Sequence, residues 1–315
     1  MSAHDLVDRV AELERTPSAI RTVAVIGAGV MATAMVPRLR SAGFSLRLSN
    51  RTSAKLLGLA TDGDVVCATP AEAAAQADAV MSVVFDDAAS REVWFGPNGV
   101  LSRARPGTLA VECSTLSAAG AQEWAHELAG AGLRPVEAPV TGSKPGAESG
   151  RLVVFAGGEP ADVDAARPLL GPLAQEIVHF GPVGAAARVK LLNNMFAATI
   201  LAGLAECLSF AEHGGLGADQ VVGVLARHGW GSKVADGVGQ EMTARNYDDV
   251  LCAVRTLHKD LGYAMSTARD LGLELPVGRA VTAQFARAVD EGLGELDMAA
   301  IKDVYPAPAI DEEES

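Results

Sequence analysis

Residues 22–52 read TVAVIGAGVMATAMVPRLRSAGFSLRLSNRT, and this stretch indicates the fold of the first half of the chain. An apolar run at residues 23–26 is typical of a buried strand, and the segment GAGVMA follows it directly. A helical segment then continues to about Arg40, Gly43 ends it, and residues 44–48 resemble a second strand. A strand, a glycine turn, a helix and a strand within about 30 residues form the βαβ unit that binds dinucleotides.

The glycine turn has the features that a bound pyrophosphate needs. Gly27 permits the tight turn, Gly29 leaves the backbone open to a phosphate, and Ala32 lets the helix pack closely on the strand. The helix start adds backbone N–H groups and the positive end of its dipole. A purely structural turn is the alternative, because such glycine turns are common. The predicted cofactor contacts in the turn are Gly27, Ala28, Gly29, Val30 and Met31.

The end of the second strand indicates which nicotinamide cofactor is bound. An NAD site usually carries Asp or Glu about 20 residues after the glycines, where it bonds the ribose 2′-hydroxyl. This chain has Asn50, Arg51 and Thr52 there. No carboxylate repels a 2′-phosphate, and Arg51 can pair with it through two parallel hydrogen bonds. These residues predict NADP(H); a solvated surface arginine is the alternative.

Composition excludes several classes of function. The formal net charge of −13 argues against nucleic-acid binding, which needs a basic surface. The cysteines at positions 67, 113, 207 and 252 lack zinc spacing, so we expect no metal and reduced thiols in the cytoplasm. No uninterrupted apolar stretch reaches the length of a membrane span, and the N-terminus lacks the apolar core of a secretory signal. We therefore expect no membrane partner.

The pattern along the chain predicts two domains. Residues 1–20 read as a charged extension, residues 21–184 alternate strand and helix around a mostly parallel sheet, and residues 306–315 read as an acidic tail. Residues 185–305 are predicted to be all helical, with breaks near residues 214–215, 228–231 and 275–276. The predicted fold is an α/β Rossmann-type N-terminal domain joined by a long helix to an all-α C-terminal domain.

The long helix is predicted over residues 188–212 and is largely apolar. A helix that is apolar on nearly every face is buried within its domain or against a partner chain. We therefore expect a homodimer built on the helical domain.

Ligands of parallel α/β sheets bind at the carboxyl ends of the strands. Gly27, Asn50, Phe85, Ser114 and Ala138 each follow a predicted strand, so we expect them to line one crevice.

Two further motifs suggest chemistry. EAPVTGSKPGAESG at residues 137–150 is a predicted polar loop, rich in hydroxyls and backbone N–H groups that could hold a carboxylate; a plain connecting loop is the alternative. GPVGAAARVKLLNN at residues 181–194 places Lys190 and Asn194 four apart, on one face of a helix. Because that face is otherwise apolar, Lys190 either reaches towards solvent or points into a cleft.

Together these motifs resemble those of the β-hydroxyacid dehydrogenase family. Residues 26–34 are similar to its glycine motif, and Asn50-Arg51-Thr52 is as in its NADP-using members. Residues 137–150 are similar to its substrate motif D-A-P-V-S-G-G-x-x-G-A-x-x-G. Residues 181–194 match G-x-x-G-x-G-x-x-x-K-x-x-N-N, and residues 259–261 match K-D-L. The resemblance runs from about residue 22 to 303, with four motifs in the family's order.

The resemblance implies an NADPH-dependent reductase of small aldehyde acids such as glyoxylate, succinic semialdehyde or tartronate semialdehyde, working in reverse as a hydroxyacid dehydrogenase. It makes Lys190 the general acid/base, with Asn194 as its partner in holding the carboxylate substrate. The further implied substrate contacts are Ser114, Thr141, Gly142, Ser143, Cys252 and Asp260. The further implied cofactor contacts are Phe85, Thr115 and Lys259.

The implied role of Lys190 has a physical consequence. Negative charge develops on the carbonyl oxygen during reduction, and an ammonium stabilises it and donates a proton. To work in both directions, Lys190 should have a pKa below the usual value of about 10.4, through desolvation and nearby positive charge.

This chain departs from the family pattern at several positions. Thr141 replaces Ser, Ser143 and Ala186 each replace Gly, and Glu137 replaces Asp. Cys252 replaces a substrate-facing aromatic, which would leave room for a larger substrate.

Two alternatives remain open at this point. Imine reductases share the architecture but usually lack a lysine at the position of Lys190. A catalytically silent NADPH-binding sensor or assembly protein is the alternative from a different class.

Overall fold

The computed structural model describes residues 20–228, 234 and 236–305. The predictions for residues 1–19, for the break at residues 229–231 and for the acidic tail lie outside the described residues. Within them the chain forms two compact units. The first comprises residues 20–114 and 119–186, and the second comprises residues 115–118 and the described part of 187–305.

The first unit is built on a six-stranded parallel sheet in the order β3-β2-β1-β4-β5-β6. Its strands are β1 (Thr22–Ile26), β2 (Ser45–Ser49), β3 (Val65–Val66), β4 (Ala79–Ser82), β5 (Leu109–Glu112) and β6 (Arg134–Glu137). Along β1, Val23 and Val25 pack into one hydrophobic cluster, and Ala24 and Ile26 pack into another. Because side chains alternate between the faces of a strand, both faces of the sheet are covered, which confirms the predicted Rossmann-type fold.

Side-chain caps mark the start of two helices of this unit. Thr69 Oγ1 accepts a hydrogen bond from the backbone N–H of Glu72 (3.1 Å), and the Glu72 carboxylate accepts one from Ala68 (3.0 Å). Asp86 Oδ1 accepts one from the N–H of Ala89 (2.8 Å). The helices are α1 (Val30–Ser41), α2 (Pro70–Ala74), α3 (Asp87–Phe95), α4 (Ala118–Gly130), α5 (Ser143–Ser149) and α6 (Pro160–Leu170).

The prediction for residues 137–150 was wrong in part. The stretch contains a short strand, β7 (Val140–Thr141), and the helix α5, in place of a continuous loop. The buried Ala147 side chain joins the core of the unit, and Gly150 ends the helix with a φ of 68°. The polar composition concealed this helix, because only one of its faces is buried.

The last strands form a separate sheet, which also differs from the single sheet expected. β7 pairs antiparallel with β8 (Leu152–Ala156), and β8 pairs parallel with β9 (Ala174–His179). An isolated bridge between Glu137 and Gly157 connects β6 to the residue that follows β8. Strand existence was predictable from apolar runs, whereas the choice of sheet depended on these distant pairings.

The described residues of the second unit contain helices and one isolated bridge, but no strand. The helices are α7 (Ala185–His213), α8 (Ala218–His228), α9 (Val238–Ala244), α10 (Val254–Asp270) and α11 (Pro276–Asp290), followed by a 3-10 helix at Met298–Val304. Their apolar faces meet in one core that includes Leu201, Leu208, Leu261, Phe285 and Ile301. The predicted breaks near residues 214–215 and 275–276 are confirmed.

By length and composition, α7 could cross a bilayer. This is weak evidence for a membrane span, because core helices of soluble proteins pass the same test. Ala198, Leu201 and Leu208 of α7 contribute to the core of the second unit.

Candidate active site

The carboxyl ends of the parallel strands are aligned at one edge of the first unit. Ile26 pairs in register with Ser49 and Ser82, and Glu112 pairs with both Ser82 and Glu137. The residues that follow these strands therefore emerge at the same edge of the sheet, as the sequence predicts.

The glycine turn after β1 is a tight connection with an open outer side. Gly27 has a φ of 119°, and a Cβ atom there would lie 2.2 Å from the carbonyl oxygen of Val83, so only glycine fits. A Cβ at Gly29 would have no neighbour within 4 Å. Gly29 and Val30 are exposed. The turn thus combines a first position that only glycine can occupy with an accessible second glycine.

The N-terminus of α1 suits an anionic ligand. It has no side-chain cap hydrogen bond, and no acidic residue lies in its first turn. The N–H groups of that turn and the positive end of the helix dipole favour a pyrophosphate. The residues present therefore fit a dinucleotide.

The Asn50 side chain, just after β2, binds the backbone on two sides. Its Oδ1 accepts a hydrogen bond from the N–H of Ala28 (3.1 Å), and its Nδ2 donates one to the carbonyl oxygen of Thr52 (2.8 Å). The side chain thereby ties the glycine turn to the segment that contains Arg51. Arg51 and Thr52 are exposed. Phe85, another predicted cofactor contact, is exposed three residues after the end of β4.

Ser114 is held by a buried carboxylate that sequence analysis missed. Glu112 Oε1 accepts a hydrogen bond from the N–H of Ser114 (3.0 Å), and Glu112 Oε2 accepts from Ser90 Oγ (2.7 Å) and Trp94 Nε1 (2.9 Å). Ser114 Oγ in turn accepts from the N–H of Val84 (2.8 Å). A lone glutamate at the end of an apolar strand was the available signal.

The predicted carboxylate cradle contains an unusual backbone conformation. Gly142 has a φ of 120°, and Ser143 has a φ of 54°, which is uncommon for a residue other than glycine. Ser143 stands where the family motif has glycine, so this chain adopts the glycine conformation with a serine. Thr141 is half-buried and ends β7.

The second unit brings four predicted site residues together. Asn194 on α7 is buried, and its Nδ2 donates a hydrogen bond to Asp260 Oδ2 on α10 (2.5 Å). Lys259 Nζ lies 2.8 Å from Asp260 Oδ1 and donates a hydrogen bond to the carbonyl oxygen of Thr115 (2.9 Å). Asp260 is almost fully buried, and its two oxygens face Asn194 and Lys259. This carboxylate therefore supports two other predicted site residues, and its expected contact with substrate stays a prediction.

Lys190 lies on α7 one turn before Asn194. Burial lowers the pKa of its ammonium, the Asp260 carboxylate opposes that shift, and the positive charge of Lys259 lowers the pKa further. The direction agrees with the one that proton transfer in both directions requires.

Cys252 belongs to the same electrostatic environment. Burial raises the pKa of its thiol to about 12, the Asp260 carboxylate raises it too, and the Lys190 charge opposes them. Cys252 is therefore a neutral thiol at neutral pH. The buried Asp297, which sequence analysis missed, holds this segment by accepting hydrogen bonds from the N–H groups of Leu251 (2.9 Å) and Cys252 (3.2 Å).

Lys190 is half-buried, and the partial loss of hydration of its ammonium should cost stability that its replacement recovers. We expect Lys190→Met to raise the free energy of unfolding at pH 7 by about 1 kcal/mol, the scale of single substitutions. Because the folded-state pKa of Lys190 is lowered, the native protein loses this proton before the unfolded chain does. The wild-type protein should therefore gain stability relative to the variant as pH rises from the folded-state pKa towards 10.5. Chemical denaturation at pH 7 and pH 10 measures both differences; a gap that widens with pH would contradict the assignment.

Comparison with known proteins identifies the family. Residues 22–181 match the family model of the NAD binding domain of 6-phosphogluconate dehydrogenase. Residues 184–305 match a second family model, described as NAD-binding of NADP-dependent 3-hydroxyisobutyrate dehydrogenase. The chain is 30% identical over 279 residues to glyoxylate/succinic semialdehyde reductase 1 of Arabidopsis thaliana, covering 89% of this chain and 96% of the relative.

Solved structures agree with this assignment. A 3-hydroxyisobutyrate dehydrogenase from Salmonella typhimurium is 27% identical, with a TM-score of 0.84 over 90% of this chain and all of that one. An imine reductase from Myxococcus stipitatus in complex with NADP⁺ is 21% identical, with a TM-score of 0.60 over 90% of this chain and 99% of that one. At that identity the second similarity concerns the fold alone. The glycine turn, the lysine-bearing helix and these matches show that the chain belongs to the β-hydroxyacid dehydrogenase family of nicotinamide-dependent oxidoreductases.

Proposed function

We propose that this protein is an NADPH-linked reductase of small aldehyde acids that works in reverse as a hydroxyacid dehydrogenase, with Lys190 as its general acid/base. The observation that carries the proposal is the environment of Lys190. Its pKa is lowered by burial, and Asn194, one turn away, is held by the Asp260–Lys259 pair.

The cofactor and the site residues have separate roles in the proposed reaction. NADPH supplies the hydride when it is bound. Lys190 donates a proton to the carbonyl oxygen as negative charge develops there, and it accepts that proton in the reverse direction. Asn194 has its amide oriented by Asp260, so it can hold the substrate without first reorganising. Lys259 joins this pair to the backbone at Thr115.

We assign the substrate carboxylate to the segment at Thr141, Gly142 and Ser143. The positive φ values of Gly142 and Ser143 turn successive backbone groups within a short loop at the start of α5. Backbone N–H groups in such turns and at helix starts are typical donors to anions. Ser114 adds a hydroxyl at the end of β5.

The preference for NADPH over NADH rests on the segment after β2. Arg51 is exposed there, and Asn50 stands in place of the carboxylate of an NAD site, with its side chain bound to the backbone of Ala28 and Thr52. The 2′-phosphate of NADPH would face the Arg51 guanidinium, which attracts it, and not the carboxylate of an NAD site, which would repel it.

The function can be tested by mixing the purified protein with NADPH and following loss of cofactor absorbance. Glyoxylate, succinic semialdehyde, tartronate semialdehyde and a set of cyclic imines form the panel. Oxidation with the aldehyde acids supports the proposal. Oxidation with imines alone would move the chain to the imine reductases, and no turnover with any compound would favour the silent sensor. Because Cys252 is smaller than an aromatic residue, we expect the longer aldehyde acids to be accepted.

We also propose that the protein is a homodimer that associates through α7. An exposed stripe runs along this helix at positions four or seven residues apart. It includes Leu192 (63% exposed), Phe196 (65%), Gly203 and Phe210 (81%). Large apolar side chains in such a stripe are unfavourable in water, and the glycine lets a second helix approach closely.

A location in the cytoplasm is proposed as well, since all four cysteines are free thiols.

Charge in this stripe should break the dimer. We expect Phe196→Glu to convert a dimer into a monomer, because a carboxylate would lose its hydration in an apolar interface. Analytical ultracentrifugation measures the mass. Phe180→Glu, at an exposed phenylalanine of the first unit, is the matched control and should leave the dimer intact. A wild-type protein that sediments as a monomer would refute the proposed interface.

A further inference from the structure

The start of α7, up to Ala186, belongs to the first unit and is anchored there by a carboxylate from the sheet of the same unit. Glu137, the last residue of β6, is buried. Its Oε1 accepts hydrogen bonds from the backbone N–H groups of Gly184 (2.8 Å) and Ala186 (2.7 Å). These N–H groups have no acceptor within a helix that begins at Ala185. One oxygen therefore caps two orphan donors at the positive end of the helix dipole.

Two glycines, Gly157 and Gly184, leave room around the Glu137 carboxylate and the turn that it binds. A Cβ at Gly157 would lie 2.2 Å from Glu137 Oε1, so the absence of a side chain there makes room for the carboxylate. Gly184 has a φ of 94°, and a Cβ there would lie 2.8 Å from Gln122 Nε2. Both glycines thus bring the backbone close to the carboxylate.

A second clamp fixes the turn that precedes the helix. His179 Nε2 lies 3.0 Å from the carbonyl oxygen of Gly158 and 2.9 Å from that of Gly181. The N–H of Gly158 also donates to the carbonyl oxygen of Gly181 (3.0 Å). The turn at residues 181–184 is therefore tied to the end of β8 at one side and to β6 at the other.

The anchored turn leads directly to the proposed acid/base. Lys190 is four residues after Ala186 on the continuous helix α7, so the two residues lie one turn apart on the same side. A shift or rotation at the helix start is transmitted to the next turn, because consecutive turns share backbone hydrogen bonds.

We propose that Glu137 is a positioning residue that sets the placement of Lys190 for proton transfer through the first turn of α7. This inference rests on the proposed role of Lys190. Misplacement by a fraction of the transfer distance lowers the rate of proton donation while leaving the cofactor site on β1 and β2 intact. The step that slows is the movement of the proton from Lys190 Nζ to the carbonyl oxygen.

The test compares Glu137→Ala and Glu137→Gln with the wild-type protein. We expect kcat for aldehyde-acid reduction to fall about 10-fold or more in the Ala variant and less in the Gln variant, which keeps an acceptor oxygen. The Kd of NADPH, measured by fluorescence, should stay within about twofold of the wild-type value. The solvent deuterium isotope effect on kcat should rise in both variants, because proton transfer becomes more rate-limiting.

Thr69→Ala is the matched control, because it removes a cap from α2, a helix without a predicted site residue. It should lower stability but leave kcat and the isotope effect unchanged.

The inference is overturned if Glu137→Ala, corrected for folded fraction, keeps the wild-type kcat, or if NADPH affinity falls in step with kcat. If the Ala variant does not fold, an unchanged isotope effect in Glu137→Gln overturns it. Lys190→Ala is measured alongside: full activity in that variant would refute the role of Lys190 itself, whereas an inactive Lys190→Ala with normal Glu137 variants refutes only the positioning role.

Discussion

Replacing Lys190 with alanine should lower kcat for NADPH-dependent reduction by about 10²- to 10⁴-fold, the range over which a positioned general acid contributes. The variant loses both the proton donor and the positive charge beside the developing oxyanion. Asn194 and the Asp260–Lys259 pair remain, so substrate binding should be affected much less than turnover. Single-turnover measurement of NADPH oxidation separates the chemical step from product release.

The pH dependence of the wild-type enzyme supplies a second measurement of the same role. Reduction needs the protonated amine and should decline as pH rises through the pKa of Lys190, which burial places below 10.5. Oxidation of the hydroxyacid needs the neutral amine and should increase across the same range.

Arg188→Ala is the control for these experiments, because it removes an exposed cation two residues away on the same helix. It should keep wild-type activity. Hydride transfer at more than about a tenth of the wild-type rate in Lys190→Ala would exclude Lys190 as the general acid, given the size of such contributions.

Replacing Arg51 with alanine should raise the Kd of NADPH about 10- to 100-fold while changing the Kd of NADH by less than about twofold. Hydrogen bonds to charged groups contribute about 1.5–3 kcal/mol, and only NADPH carries the 2′-phosphate. Because Arg51 is exposed, salt should screen the interaction. The loss caused by the substitution should therefore shrink as ionic strength increases.

Fluorescence titration with both cofactors at two salt concentrations measures the effect of Arg51. Arg103→Ala removes the same charge from another exposed position and controls for net charge. Equal losses of NADPH and NADH affinity in Arg51→Ala would refute the assigned contact with the 2′-phosphate.

Local signals explain what could be predicted from the sequence. The strand at residues 23–26, the glycine turn, the caps at Thr69 and Asp86 and the long helix after residue 184 depend on neighbours within a few residues. The structure confirms the predicted Rossmann-type fold and helical second domain. Both were predictable because elements with such local signals follow one another in a regular order. The motif that contains Lys190 was also visible, since helical spacing alone places Asn194 on the same face.

The structure alone decided which side chains support one another. Glu112 and Asp297 were missed, and so were the contacts of the Asp260 oxygens with Asn194 and Lys259. The short helix at residues 143–149 and the second sheet were also unforeseen.

The amino-acid sequence by itself determined most of the elements, their order and the candidate residues for the chemistry, because propensity, capping and periodicity act over a few positions. The tertiary structure decided which of those residues are held in place. Asp260 meets Asn194 across 66 positions, and Glu137 meets Gly184 and Ala186 across 47 and 49. Contacts at such separations depend on how whole elements pack, and no local pattern encodes that packing.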